Sequence, residues 1–135
     1  MNTTAIAPYL NFNGNAREAM TFYKECLGGE LTIMDFDNGT PGVMHANLYS
    51  GDIVIFASDC PPGTPAITFG TSVSLSINCM SREQVDKFFN ALSKGGNIIM
   101  PLEDTFWGAY FGMLTDKFGI HWMFNYDDPA KAQKH

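Results

Sequence analysis

The chain has 135 residues, 45% of them hydrophobic and 13% aromatic, and carries a net charge of −6. That length supports one domain, or two very small modules sharing a core, and this much apolar material rules out disorder over most of it. The eight basic residues are scattered, with Lys117, Lys131 and Lys134 toward the C-terminus, so no basic face is available for nucleic-acid phosphates or an anionic membrane.

Met1-Asn2-Thr3-Thr4 lacks the basic start of a signal peptide. No apolar run approaches the roughly 18 residues of a membrane span. Cys26, Cys60 and Cys79 are odd in number and widely spaced, a pattern that fits reduced thiols in a cytoplasmic protein better than a disulfide frame or a zinc site.

In chain order, Ile6–Phe12 reads as a strand. A helix follows, with Asn15 as its expected N-cap and Glu18 three residues on. Its apolar stripe is Ala19, Phe22, Tyr23, Cys26 and Leu27, and Gly28-Gly29 stops it. Three strands are expected next: Glu30–Phe36, Val43–Tyr49 and Asp52–Ser58, the last two joined by a Ser50-Gly51 turn. The Pro/Gly-rich stretch around Cys60-Pro61-Pro62-Gly63-Thr64-Pro65 is a linker. A strand at Val73–Cys79 then leads to the capping box Ser81-x-x-Gln84 and a second helix. That helix carries the stripe Val85, Phe88, Phe89 and Leu92 and stops at Gly95-Gly96. Asn97–Leu102, Ala109–Thr115 and Ile120–Asn125 complete the strands, with Asp116-Lys117-Phe118-Gly119 as a tight turn whose acid bonds turn amides.

Displacing the chain by about 67 residues lays Leu10-Asn11 on Ile77-Asn78 and superposes the glycine pairs. The expected fold is therefore α+β, with two tandem βαβββ modules forming a cupped mixed sheet with helices on its outer face. The modules are about 4–58 and 72–126, separated by a linker at about 59–71 and followed by a frayed tail at 127–135, all within a single domain.

The segments Pro8-Tyr9-Leu10-Asn11-Phe12-Asn13-Gly14-Asn15-Ala16, Phe22-Tyr23, Gly28-Gly29 and Met44-His45-Ala46 carry a family resemblance. So do Met100-Pro101-Leu102, Asp104-Thr105-Phe106-Trp107-Gly108, Phe111-Gly112-Met113, Thr115-Asp116-Lys117-Phe118-Gly119 and Trp122-Met123. They resemble the vicinal-oxygen-chelate superfamily, the glyoxalase, bleomycin-resistance and dioxygenase group, and within it the PhnB-like branch. Domains of that branch often carry a 3-demethylubiquinone methyltransferase label. No glycine-rich loop suited to S-adenosylmethionine follows any strand here, so the label does not transfer.

The resemblance implies a divalent metal held by the first and last strands of each module. With Leu10, Phe12, Leu75 and Ile77 turned toward the helices, the ligand positions fall at Ala7, Ser74, Ile55 and Met123. None of these is a good ligand, so no cofactor is expected; a divalent metal stays an option with poorly matched positions. The same resemblance implies a small-molecule ligand and a homodimer.

His45 is the tentative catalytic residue and a pocket residue. It alternates with Met44, Ala46 and Leu48 as the core side, which turns His45, Asn47 and Tyr49 the other way. By the same alternation Tyr9, Asn11, Ser74, Ser76 and Asn78 line the expected pocket, with Phe111 and Met123. Trp107 beside Gly108 reads as a pocket wall, and Glu103 and Asp104 as acids that could serve it. His121 pairs with His45 only in a two-imidazole metal site short of ligands; Cys60 has no basic neighbour to favour a thiolate.

Two readings follow. One is a small-molecule-binding protein without the usual metal. The other is a lyase, isomerase or dioxygenase that uses a metal or His45.

Overall fold

The computed structural model describes residues 4–37, 39–61 and 63–130. They divide between Thr68 and Phe69 into two compact units. The first holds β1 (Tyr9–Phe12), α1 (Ala16–Leu27), β2 (Glu30–Asp35), β3 (Val43–Ser50) and β4 (Ile53–Asp59). The second repeats the order as β5 (Leu75–Asn78), α2 (Arg82–Leu92), β6 (Asn97–Asp104), β7 (Ala109–Thr115) and β8 (His121–Asp127). Each unit is the expected βαβββ, and the α+β class stands.

Within each unit the first strand pairs in parallel with the last, and the other neighbours are antiparallel. The strand orders are β1-β4-β3-β2 and β5-β8-β7-β6. One face of each sheet packs on its helix. In the first unit Phe12, Ala46, Leu48, Ile55 and Ala57 are buried with Met20, Tyr23 and Leu27; in the second, Ile77, Leu114, Trp122 and Phe124 with Val85, Phe89 and Leu92. The opposite side, here the far face, carries the candidate site residues.

The helix ends follow local rules unevenly. Ser81 caps α2 as expected, accepting from the Gln84 amide at 3.1 Å; the Gln84 side chain accepts in turn from the Met80 amide at 2.8 Å. Asn15 makes no side-chain cap. The α1 terminus is instead held by Asp59 at the end of β4. Its Oδ1 accepts from the amides of Gly14 and Ala16, both at 2.9 Å, and its Oδ2 from the Val43 amide at 2.8 Å. Asp59 is 3% exposed and belongs to the sheet, not to the linker.

The tail also begins later than expected. Asp127 is still in β8, and the Asp128 amide donates to the Gly108 carbonyl; residues 131–135 lie outside the described residues. The first strands of both units are shorter than the alternation suggested, and β6 runs on through Glu103 and Asp104.

The second glycine of each pair sits where backbone meets backbone. A Cβ on Gly29 would lie 2.2 Å from the Tyr49 carbonyl oxygen, and one on Gly96 would lie 2.4 Å from that of Thr115. These are the same junction in the two units, the helix exit crossing the strand that pairs with the next one.

Candidate functional site

On the far face of the first unit, β1, β3 and β4 bring Tyr9, His45, Tyr49 and Phe56 together. Phe56 is at the centre. Its ring centroid lies 5.7 Å from His45, 6.3 Å from Tyr9 and 6.2 Å from Tyr49, the last edge to face. Tyr9 and His45 rings are 5.9 Å apart, and the phenol oxygen is 3.4 Å from His45 Nδ1, a long contact. Both tyrosines are about half exposed, so this is an accessible aromatic surface with an imidazole and two phenols at its edge. Asn47 stands opposite Phe56 on the same face, and Asn11 opposite Ser58.

Two residues sit differently from the expectation. Met44 is not on the core side. The β2–β3 register jumps between Met34 and Asp35, which pair with His45 and Val43, so Met44 is the extra residue of a bulge and is 40% exposed. Val43 takes its place in the core. Ile55 is 2% exposed on the helix side, so it is not a far-face ligand position. The far-face residue of β4 is Phe56, which pairs with Tyr9 as Met123 pairs with Ser76. The first-strand residues paired with Phe56 and Met123 are Tyr9 and Ser76, two positions on from Ala7 and Ser74, which lie ahead of β1 and β5. A thioether, a hydroxyl, a phenol and a benzyl group are a poor set for a hard or borderline divalent ion. No group of three or more His, Cys, Asp or Glu suited to a metal occurs among the described residues.

In the second unit, the far face holds Ser76, Phe111, Met113 and Met123, with Asn78 at the end of β5 and Ser74 just ahead of it. Trp107 lies in the turn between β6 and β7, 43% exposed, its ring 6.4 Å from Phe111 and 5.0 Å from Phe106. Glu103 pairs with Phe111 across the strands and shares its face.

Asp104 does not serve as a free acid. It faces α2, where both its oxygens accept from Arg82 at 2.8 and 2.9 Å. Arg82 also reaches Asp128 at 3.4 Å and lies over the Tyr110 ring at 4.2 Å. The hydrogen bond to Asp104 raises the already high Arg82 pKa further. Tyr110 donates to Asp86 at 2.5 Å; that bond first, then burial and the Asp86 charge, push the phenol up to about 12.

His121 is fully engaged. Its Nε2–H donates to the Gly70 carbonyl at 2.9 Å, which leaves Nδ1 to accept from the Thr115 hydroxyl at 2.7 Å. Neither nitrogen is left for a metal. Asp116 acts as the turn residue expected, accepting from the Phe118 and Ile120 amides and also from the Trp122 indole at 2.8 Å. Burial pushes the Cys79 thiol up to about 11, so it is no ready nucleophile.

Sequence reasoning missed Phe56 and Asp59. Phe56 alternates correctly with Ile55 and Ala57 and was lost to a one-residue slip. Asp59 had no local signal, because its partners lie in β3, in the loop before α1 and at the first residue of α1.

The family model described as Glyoxalase/Bleomycin resistance protein/Dioxygenase superfamily matches residues 5–124. The chain belongs to that superfamily. It is similar to protein YjdN of Escherichia coli strain K12, at 32% identity over 89% of this chain and 93% of that protein. Among solved structures it resembles protein PA1353 of Pseudomonas aeruginosa, with a TM-score of 0.84 and 41% identity over 93% of this chain and 99% of that one. It also resembles the PhnB protein of Bacillus cereus, with a TM-score of 0.74 and 28% identity over 91% of this chain and 99% of that one. The superfamily hosts several chemistries on one fold, so the function must be argued from the site.

Proposed function

We propose that this superfamily member is a PhnB-like protein that binds a small aromatic molecule on its sheet faces without a divalent metal, and that it works as a cytoplasmic homodimer. The observation that carries the reading is the cluster of Tyr9, His45 and Tyr49 around Phe56. Accessible rings give a planar ligand its contact area, while the imidazole, the phenols and Asn47 supply the few polar contacts that orient it. The side chains at the first- and last-strand positions support the metal-free part, since none of the four is a carboxylate or an imidazole.

One observation favours a catalytic alternative. The Tyr9 hydroxyl beside His45 Nδ1 is a phenol–imidazole pair, a combination suited to proton transfer once a ligand shortens the contact.

The test is a thermal-shift screen of small aromatic compounds, followed by titration of the hits against variants. Phe56→Ala is expected to weaken a hit at least tenfold, by removing the ring on which the others converge. His45→Ala is expected to weaken it less. Affinity unchanged in both variants would overturn the reading. A stoichiometric ion retained through purification, with turnover lost in His45→Ala, would install the enzyme reading in its place.

A further inference from the structure

The cationic side chains of the chain are sorted by element. Among the described residues Arg17 and Lys24 are on α1, Arg82 and Lys87 on α2, Lys94 follows α2, Lys117 is in the turn before β8, and no strand contains Lys or Arg. A sheet face without Lys or Arg offers an anionic ligand such as a phosphate or carboxylate no permanent positive charge. What the second unit offers near its β6–β7 turn is the opposite chemistry.

Phe106 and Trp107 meet at 5.0 Å with their planes at 89°, and Trp107 meets Phe111 at 6.4 Å and 64°. Phe106 is 84% exposed, an unusual placement for a large ring that has no task. Glu103 adds an exposed carboxylate on the same face, directly across the strands from Phe111. The guanidinium of the same unit does not spoil that sign. Arg82 is on the helix side, held by Asp104, Asp128 and the Tyr110 ring.

The turn is also fixed before any ligand arrives. The Thr105 amide donates to the Ala109 carbonyl at 2.7 Å, the Ala109 amide donates to Thr105 Oγ1 at 3.0 Å, and Gly108 O accepts from Asp128. Exposed rings beside a carboxylate suit an organic cation, whose charge is drawn to the ring faces left open to solvent.

We propose that Phe106, Trp107, Phe111 and Glu103 form a binding site for an organic cation, a quaternary ammonium or N-alkylated heteroaromatic group. This site lies on the second unit and is separate from the Phe56 cluster of the first.

Calorimetric titration of the whole chain at pH 7.5 and low salt, with three probes of matched ring area, tests the site: N-methylquinolinium, neutral quinoline and anionic 2-naphthoate. The cation is expected to bind about tenfold more tightly than 2-naphthoate, and Trp107→Ala to weaken it about tenfold. Glu103→Gln is expected to narrow the preference of cation over quinoline, leaving the part that the rings supply. Trp107→Ala with full affinity for the cation would overturn the site, because the attraction would then belong to the net charge of −6. Quinoline binding as tightly as the cation would overturn the ligand class and leave aromatic binding standing. Loss of cation binding in Phe56→Ala but not in Trp107→Ala would move the ligand to the first unit and overturn this assignment.

Discussion

Single residues decide more here than their types suggest. Asp59 is buried, and its carboxylate accepts three main-chain amides drawn from the β1–α1 loop, the first turn of α1 and the start of β3. Asp59→Ala leaves those donors without partners, and hydrogen bonds to a charged acceptor are the strong kind. The expected loss is about 3 kcal/mol by urea denaturation, and a loss under about 1 kcal/mol would mean water replaces the carboxylate. Tyr110 gives a pH signature. Its folded pKa of about 12 lies above the ordinary 10.0, mainly through the bond to Asp86. The stability this contributes is fully present below about pH 10 and is lost as pH rises through about 12. Subtracting the tyrosinate absorbance of Tyr110→Phe from that of the parent should leave a single titration centred near 12; a midpoint near 10 would mean the Asp86 bond is absent in solution. At this scale the sequence was readable where partners are close in the chain. Ser81 with Gln84, and Asp116 with its turn, could be assigned by spacing. Asp59 could not, because its partners are distant, and Phe56 was displaced by one position, which in a strand reverses the face.

Elements carry the clearest record of the duplication. The helix stripes and the turns were legible, because a helical face and a chain reversal each leave a local pattern; Gly28 caps α1, whereas α2 closes at Ser93, ahead of Gly95-Gly96. Strand ends and bulges were not: Met44 alternates perfectly in sequence, and only the paired strand reveals that it is the extra residue. The second glycine of each pair has a further task. Gly29 and Gly96 let the helix exit pass against the ends of β3 and β7, where any side chain would strike a carbonyl. Gly29→Ala and Gly96→Ala are each expected to cost more than about 2 kcal/mol. Gly51→Ala, at φ 58 with open space around it, should cost only about 1 kcal/mol. Thermal melts of the three variants compare the two effects, and equal losses would show that crowding at the junction is relieved by backbone movement.

For the whole molecule, composition excluded partners more firmly than it selected them. Net charge and scattered cations argued against nucleic acid, and the repeat of element order announced two βαβββ units; neither identifies a ligand, because a ligand is read from side chains that three strands bring to one face. The placement of every strand free of Lys and Arg emerges only once the elements are located, and it narrows the chemistry that composition left open. The strand orders β1-β4-β3-β2 and β5-β8-β7-β6 have a consequence in time. In each unit the strand made first finds its neighbour in the strand made last, so the longest loop in the unit must close before the sheet is complete. While the chain emerges from a ribosome, β1 waits unpaired through α1, β2 and β3, and the start of α1 waits with it for Asp59, the residue that ends β4. Each unit is thus assembled late and all at once, and its first strand spends that interval as an open edge that a chaperone, or a neighbouring nascent chain, is free to meet.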